Sequence, residues 1–314
     1  MRLPDAADIL EAHERINHLI HRTPVLTSRQ LNKITDCRLF FKCENFQKVG
    51  AFKFRGASNA VLSLSQEQKR KGVVTHSSGN HAAALALAAS MNGIKSFIVM
   101  PETAPGVKKN AVKDYGAEIT FCKPTLKARE ETCRIIMDRE GATLIHPYDN
   151  FDVICGQGTA SLELLQEVPA LDIVVAPIGG GGLMSGTSTL IKGINKKIKV
   201  IGAEPRNADD AFRSFKSGIL TPSVNPLTIA DGLLTSLSEL TFAIIRKNVD
   251  DIFTVSEESI IQSMRLVWER MKIIIEPSSA TVLASVIENP DFFRNKNTGL
   301  ILSGGNVDLG RLPF

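Results

Sequence analysis

The sequence predicts an α/β protein built on parallel sheets, and three observations carry that prediction. Short apolar runs recur along the whole chain, stretches with helical spacing separate them, and the runs are apolar throughout rather than alternating. A strand that is apolar on both sides is buried on both faces, which requires helices above and below a parallel sheet. The first amphipathic stretch covers residues 8–20, with Ile9, Ile16 and Ile20 on one face, and a strand-like run follows at 38–42. Further strands are expected at 72–75, 96–100, 117–121 and 142–145, with helical segments between them such as the alanine-rich 81–90. Runs at 171–176, 198–202 and 298–302 complete the pattern. The four units between about 72 and 149 read as an insertion: a small domain of residues 72–149 within a large one of residues 1–71 and 150–314. No linker-like spacer or internal repeat marks the boundary.

With 314 residues, 43% of them hydrophobic, the chain can bury a large core. Its net charge of +4 is spread among acids, and two Tyr and one Trp leave little for stacking on bases. That footprint argues against nucleic acid as a partner. No uncharged apolar stretch reaches the roughly 20 residues that span a bilayer, and Met1 to Asp5 opens no signal-peptide core. Five cysteines without a C-x-x-C pair suit neither a disulfide framework nor a zinc–thiolate site, so a cytoplasmic protein with reduced thiols is expected.

Five constellations carry chemistry. Gly179, Gly180, Gly181 and Gly182 follow the run at 171–176 and open a helical segment, so uncovered backbone amides and a helix N-terminus form an anion cradle suited to a phosphate. The dinucleotide spacing fails, because Ser185 stands where its third glycine belongs. Lys53, between Phe52 and Phe54, is either a snorkelling side chain at a helix start or an amine desolvated enough to form an imine. Residues 76–81, His-Ser-Ser-Gly-Asn-His, offer donors for a carboxylate; His76 and His81 lack a third ligand for a metal. Glu204 to Asp210 gathers three acids in seven residues, which suits either a solvated loop with Asp209 or Asp210 as a helix N-cap, or a hard-cation site. Ser303, Gly304, Gly305 and Asn306 follow the last strand, at the end where α/β sheets place ligands.

These motifs, in this order, resemble the fold-type II pyridoxal-phosphate enzymes over nearly the whole chain. Residues 21–28, 156–158, 228–232 and 303–310 extend the match. Within that group the sequence is most similar to serine racemases, and next to serine/threonine and 3-hydroxyaspartate dehydratases. The resemblance implies two α/β domains with pyridoxal 5'-phosphate in the cleft between them. It implies Lys53 as the Schiff-base lysine and a base on one face of the substrate Cα. Ser78 would be the base on the other face. Phe52, Asn80, Gly179 to Gly182, Gly232 and Ser303 would hold the cofactor, with Asn80 on its phenolic oxygen and Ser303 on its pyridine nitrogen. Ser77, Ser78, Asn80, His81, Arg129 and Thr235 would meet the substrate. Glu204, the Ala208 carbonyl and Asp210 would bind Mg2+ (or Ca2+ or Mn2+).

The resemblance also favours an amino-acid substrate and a homodimer, and leaves a nucleotide activator open. Residues 276–280 depart from the usual run, a change expected to affect packing only. The end at Phe314 leaves no room for a C-terminal regulatory module. Serine racemisation with elimination of water to pyruvate and ammonia is the leading expectation. A dehydratase of threonine, serine or 3-hydroxyaspartate is the rival, and Ser78 speaks against catabolic threonine dehydratases. A nicotinamide dehydrogenase lacks its glycine spacing, and a non-catalytic binding protein would show no turnover.

Overall fold

The structure is a computed structural model that describes residues 2–77, 79–104 and 106–314. Among these, ten strands form two sheets. In chain order they are β1 (Val25–Leu26), β2 (Arg38–Cys43), β3 (Val73–His76), β4 (Ser96–Pro101), β5 (Glu118–Cys122), β6 (Thr143–Leu144), β7 (Ile173–Pro177), β8 (Lys199–Pro205), β9 (Asp251–Val255) and β10 (Asn297–Leu302). The larger sheet runs β1-β2-β10-β7-β8-β9 and the smaller β5-β4-β3-β6. All pairings are parallel except β1 with β2. Every residue of β7 and of β4 is buried, the burial pattern that continuous apolar runs require. The expected runs all became strands. The short β1 and the more polar β9 were not anticipated, because two residues and a mixed Asp-Ile-Phe-Thr-Val run give little periodicity. The first helix is also shorter than its pattern, Ala6–Ile16, closed at its start by an Asp5/Asp8 capping box.

The second sheet lies wholly between residues 73 and 144. Beneath the larger sheet three helices stack in series: Lys53–Ser63, Phe151–Glu167 and Gly182–Ile194. They meet through glycines. A Cβ on Gly156 would stand 2.6 Å from the Arg55 carbonyl oxygen and from the Gly56 Cα, and one on Gly158 would stand 2.9 Å from the Gly186 carbonyl. One on Gly186 would run into the Ile154 carbonyl. Backbone therefore rests on backbone, which brings the starts of the first and third helices, residues 53 and 182, close to the same crevice.

Gly186→Ala should lower the melting temperature, by an overpacking cost of about 1–3 kcal/mol. Gly106→Ala is the control, since its Cβ would meet nothing within 4 Å and its backbone is unstrained. Thermal unfolding of the two variants side by side checks the contrast.

Candidate active site

The carboxyl ends of both sheets open onto one crevice, where α/β folds place ligands. It holds a cavity of ≈ 540 Å³, lined from one side by residues 52–53, 179–183, 231–236, Glu276, Ser278 and Ser303 and from the other by residues 76–77, 79–81 and 146–148.

Lys53 is the first residue of its helix, and the chain before it is tied to the loop after β10: Phe52 N–H donates to the Ser303 carbonyl at 3.0 Å. The Lys53 ammonium donates to the Pro147 carbonyl at 2.9 Å and lies 5.1 Å from the Phe52 ring centre. Removal from water pushes its pKa down to about 8, with the Glu276 carboxylate pulling the other way. Burial wins, so the snorkelling alternative fails: the side chain points into the cavity and not to bulk solvent.

Opposite, Gly181 adopts φ +85 as the N-cap of the helix Gly182–Ile194, without a side chain to occupy the first amides. Only glycine takes that conformation without strain. A Cβ here would stand 2.7 Å from Leu237, and one on Gly180 would run into the Tyr148 ring. A Cβ on Gly179 would stand 2.9 Å from the Leu233 Cα. Bare amides at a helix start are a place for an anion such as a phosphate.

Ser303 is buried, its hydroxyl 3.0 Å from the Ser279 hydroxyl. Ser279 donates to the Gly304 carbonyl and accepts from the Gly304 N–H, both at 2.7 Å. With the Ser279 proton so engaged, Ser303 must be the donor of the bond between the two hydroxyls, and its proton would turn from Ser279 to reach a ring nitrogen. Gly232 N–H donates to the Ser278 hydroxyl at 3.0 Å. Residues 276–280 thus do more than pack: two of their hydroxyls set the geometry of Ser303 and Gly232, and Glu276 lines the cavity. The Asn80 amide donates to both Glu276 oxygens at 3.1 Å, and its own oxygen accepts from Asn306 at 2.9 Å. These contacts settle which end of the amide is the donor, and turn it toward the cavity.

Among the remaining sequence candidates, Ser78 lies outside the described residues. Ser77 accepts from the Gly79 N–H at 3.3 Å through its hydroxyl. His81 is buried and neutral, its pKa pushed down to about 3 by desolvation and then by Lys53. Its Nε2 is 3.0 Å from the Ile145 carbonyl, which makes that nitrogen the donor, while Nδ1 is buried without a partner. In this tautomer His81 presents a lone pair, not a proton, to the site. Arg129 lines the cavity with its Nε buried and without a hydrogen-bond partner. Thr235 lines the cavity near enough to the Tyr148 phenol to lower its pKa somewhat, while burial pushes that phenol up to about 12. Tyr148, His146 (down to about 4 by burial) and His76 form an edge-to-face chain, 4.6 and 5.5 Å between ring centres. Sequence reasoning missed Tyr148, His146 and Glu276. Only the His-Pro-Tyr run just after an expected strand hinted at the first two.

The acid cluster lies apart from these contacts. Glu204 sits within β8 rather than after it, and its carboxylate accepts from the Ala211 and Phe212 amides at 3.0 and 2.8 Å. The helix Asp210–Ser217 is therefore capped by Glu204, and the expected cap by Asp209 or Asp210 is not made. Asp209 instead pairs with Arg213 at 2.8 Å. Glu204 is fully buried and held well above the usual carboxylate range by desolvation and by Asp210. Asp210 is buried too, its pKa pushed up to about 6 by desolvation. Neither of its oxygens makes a well-aligned hydrogen bond, although Leu237 N–H and the Ser223 hydroxyl are near enough to lower its pKa somewhat. Among the described residues no three His, Cys, Asp or Glu side chains gather as a metal would need. Two carboxylates beside the buried Ala208 remain as oxygen donors.

An amine whose pKa is lowered by burial, an anion cradle and a hydroxyl across the same cavity fit one cofactor. A family profile described as pyridoxal-phosphate dependent enzyme matches residues 16–304. The chain belongs to this family. The pyridoxal-phosphate enzyme is 53% identical over 310 residues to a serine racemase from Dictyostelium discoideum, covering 97% of this chain and 95% of that one. The solved structure of a Dictyostelium discoideum serine racemase superposes with a TM-score of 0.94 over 97% and 99% of the two chains. A β-hydroxyaspartate dehydratase from Paracoccus denitrificans is 49% identical over the full length of both. Maize serine racemase is 44% identical, with a TM-score of 0.96 over 98% of this chain and 95% of that one. The fold class expected from the resemblance is thus the fold found: an α/β enzyme of the fold-type II group with parallel sheets.

If the Lys53 amine is the reactive one, apoprotein should take up pyridoxal phosphate faster as pH rises from 6.5, with the rate levelling above about 8. Below that pH the amine is protonated and cannot attack an aldehyde. Stopped-flow absorbance reads this rise, and Lys53→Ala should remove the visible band altogether.

Proposed function

We propose that this enzyme interconverts L- and D-serine and, in a companion reaction, eliminates water from serine to give pyruvate and ammonia. The observation that carries the reading is the meeting of Lys53 with Ser77, Asn80 and His81 across a cavity walled by the glycine cradle. Pyridoxal phosphate, when bound, draws electrons from the substrate Cα and so makes its proton removable. The protein supplies the rest. Gly179 to Gly182 would hold the phosphate with backbone amides, and Phe52 would flank the ring. The Asn80 amide, which here donates to Glu276, would donate to the phenolic oxygen, and Ser303 would offer a hydroxyl to the ring nitrogen. A hydroxyl does not protonate that nitrogen, which moderates the electron sink.

Lys53 removes or returns a proton on one face of the Cα. Racemisation needs a second acid–base group on the other face, and Ser78 is the residue we assign to it. Ser77, Asn80, Arg129 and Thr235 surround the substrate, and His81 serves as an acceptor. The same resemblance supports two domains of residues 1–71 with 150–314 and 72–149. It also supports a homodimer, and leaves a nucleotide activator open. A cytoplasmic setting accords with five free, buried cysteines.

A second reading has its own observation. Arg129 brings a buried, unpartnered guanidinium nitrogen to the cavity wall, which would suit the second carboxylate of 3-hydroxyaspartate. A dehydratase of that substrate is the alternative.

Ser78→Ala should abolish interconversion of L- and D-serine while pyruvate formation from L-serine persists at a measurable rate. Chiral chromatography with a keto-acid assay checks both. Arg129→Met should reduce kcat/KM for 3-hydroxyaspartate at least about tenfold more than for serine, the scale of one lost charge-assisted hydrogen bond. Equal losses on the two substrates would leave the dicarboxylate reading without its residue.

Glu204, Ala208 and Asp210 fit a divalent cation by the buried, unpartnered oxygens of Asp210. A cation there would neutralise two buried carboxylates and hold β8 to the helix Asp210–Ser217. Stripping with a chelator should lower the melting temperature, and added Mg2+ should restore it by mass action. Asp210→Asn should lose that response.

A further inference from the structure

Two residues beyond Lys53, on the same helix and about 200° around its axis, lies the most completely buried ion cluster among the described residues. Arg55 is 0% exposed, as are Glu44 and Lys42, and Glu163 is 1% exposed. The Arg55 guanidinium makes a fork with Glu44 (Nε to Oε2 2.7 Å, Nη2 to Oε1 2.8 Å) and a second with Glu163 (Nη1 to Oε1 and Nη2 to Oε2, both 2.8 Å). Its Nη1 also donates to the Thr159 hydroxyl at 3.2 Å. Lys42 donates to Glu163 and, at 2.6 Å, to the Thr23 carbonyl, while the Thr23 hydroxyl donates to Glu44. Two cations face two anions, so the cluster is neutral as a whole.

Burying four charges is a poor way to gain stability, since desolvation offsets most of the attraction. What such a cluster does supply is direction. At the seam between the lysine helix and the helix Phe151–Glu167, Gly56 and Gly156 set backbone against backbone, and the side chain that lies in the crossing is Gln157, whose oxygen accepts from the Gly56 N–H at 3.2 Å. Glycine on glycine offers few ridges to enter a groove, so the hydrogen bonds that cross the seam must set the rotation of the helix. The two forks of Arg55, on Glu44 and Glu163, are the charge-assisted ones. Glu163 belongs to the helix Phe151–Glu167, and Glu44 follows β2. Arg55 thus ties the lysine helix to a helix and to the sheet at once.

We infer that Arg55, through Glu44 and Glu163, is a positioning residue that sets the rotation of the helix Lys53–Ser63 and so the place of the Lys53 amine relative to the glycine cradle. The inference rests on Lys53 being the lysine that links the cofactor. It does not depend on whether serine or 3-hydroxyaspartate is the substrate. Lysine in place of Arg55 keeps the charge but can form neither fork.

The test uses holoenzyme, Arg55→Lys, and the charge-balanced double variant Arg55→Met with Glu44→Met, which leaves Lys42 paired with Glu163. Borohydride reduction of the parent and peptide mass analysis first identify the linking lysine. Label on a residue other than Lys53 overturns the site assignment and this inference with it. The readouts are kcat and KM for L-serine, melting temperature, and the pH midpoint of the visible absorbance of the linked cofactor. A misplacement on the ångström scale costs up to about 100-fold in rate, so kcat should fall about tenfold or more in both variants. KM should change less than about threefold, and the absorbance midpoint should move by about half a pH unit or more, even where the melting temperature stays near the parent's. With Lys53 labelled, a parent-like kcat and midpoint in the double variant overturns the positioning role alone. If the double variant does not fold, Arg55→Lys decides: a shifted midpoint with unchanged far-ultraviolet circular dichroism supports the role, and a parent-like midpoint overturns it.

Discussion

A lysine amine that has to give up its proton more readily than a free one must be taken out of water while an opposite charge is kept from pairing tightly with it. Lys53 meets both conditions. Desolvation pushes it down to about 8, and Glu276, which would raise it, is turned toward Asn80 and the Asn306 N–H instead. The same carboxylate therefore decides which end of the Asn80 amide donates. One negative group at the floor of the crevice orients the hydrogen-bond donor and tempers the amine together.

Holding that amine in place is a problem of helix packing. Glycine-to-glycine crossings bring three helices close enough for residues 53 and 182 to share a cavity, but backbone resting on backbone leaves few side chains to fix their register. Close approach and rigid register are then separate tasks. The glycines perform the first, and directional polar contacts at the margins of the seam perform the second. Gln157, whose side-chain oxygen accepts from the Gly56 N–H at 3.2 Å, is one such contact, and the Arg55 forks are another.

Buried charge elsewhere follows a different rule. Glu204 and Asp210 face each other with desolvation raising both, so as bare side chains they tend toward the protonated state. Arg55 and its partners, by contrast, neutralise one another completely. One cluster is self-sufficient, and the other has oxygen atoms to spare, which separates an internal tie from a place for an external cation.

The succession of strands and helices along the chain and the chemical nature of the cavity were legible in the sequence because each is written locally, whereas the order of strands within each sheet was not. Continuous apolar runs declare strands buried on both faces, four glycines declare bare amides, and Ser303 after the last run declares a hydroxyl at the ligand end of a sheet. What no local pattern carries is which side chains from distant segments meet. Glu276 and Asn80 are 196 residues apart, and Ser279 and Ser303 are 24 apart on different elements. Glu204 reads as one acid among three, and only the folded strand shows it capping the next helix in place of Asp209. Lys53 between two phenylalanines was equally consistent with a solvent-seeking lysine and a desolvated one. The tertiary structure decided between them, because desolvation is a property of everything that surrounds an atom and not of its neighbours in the chain.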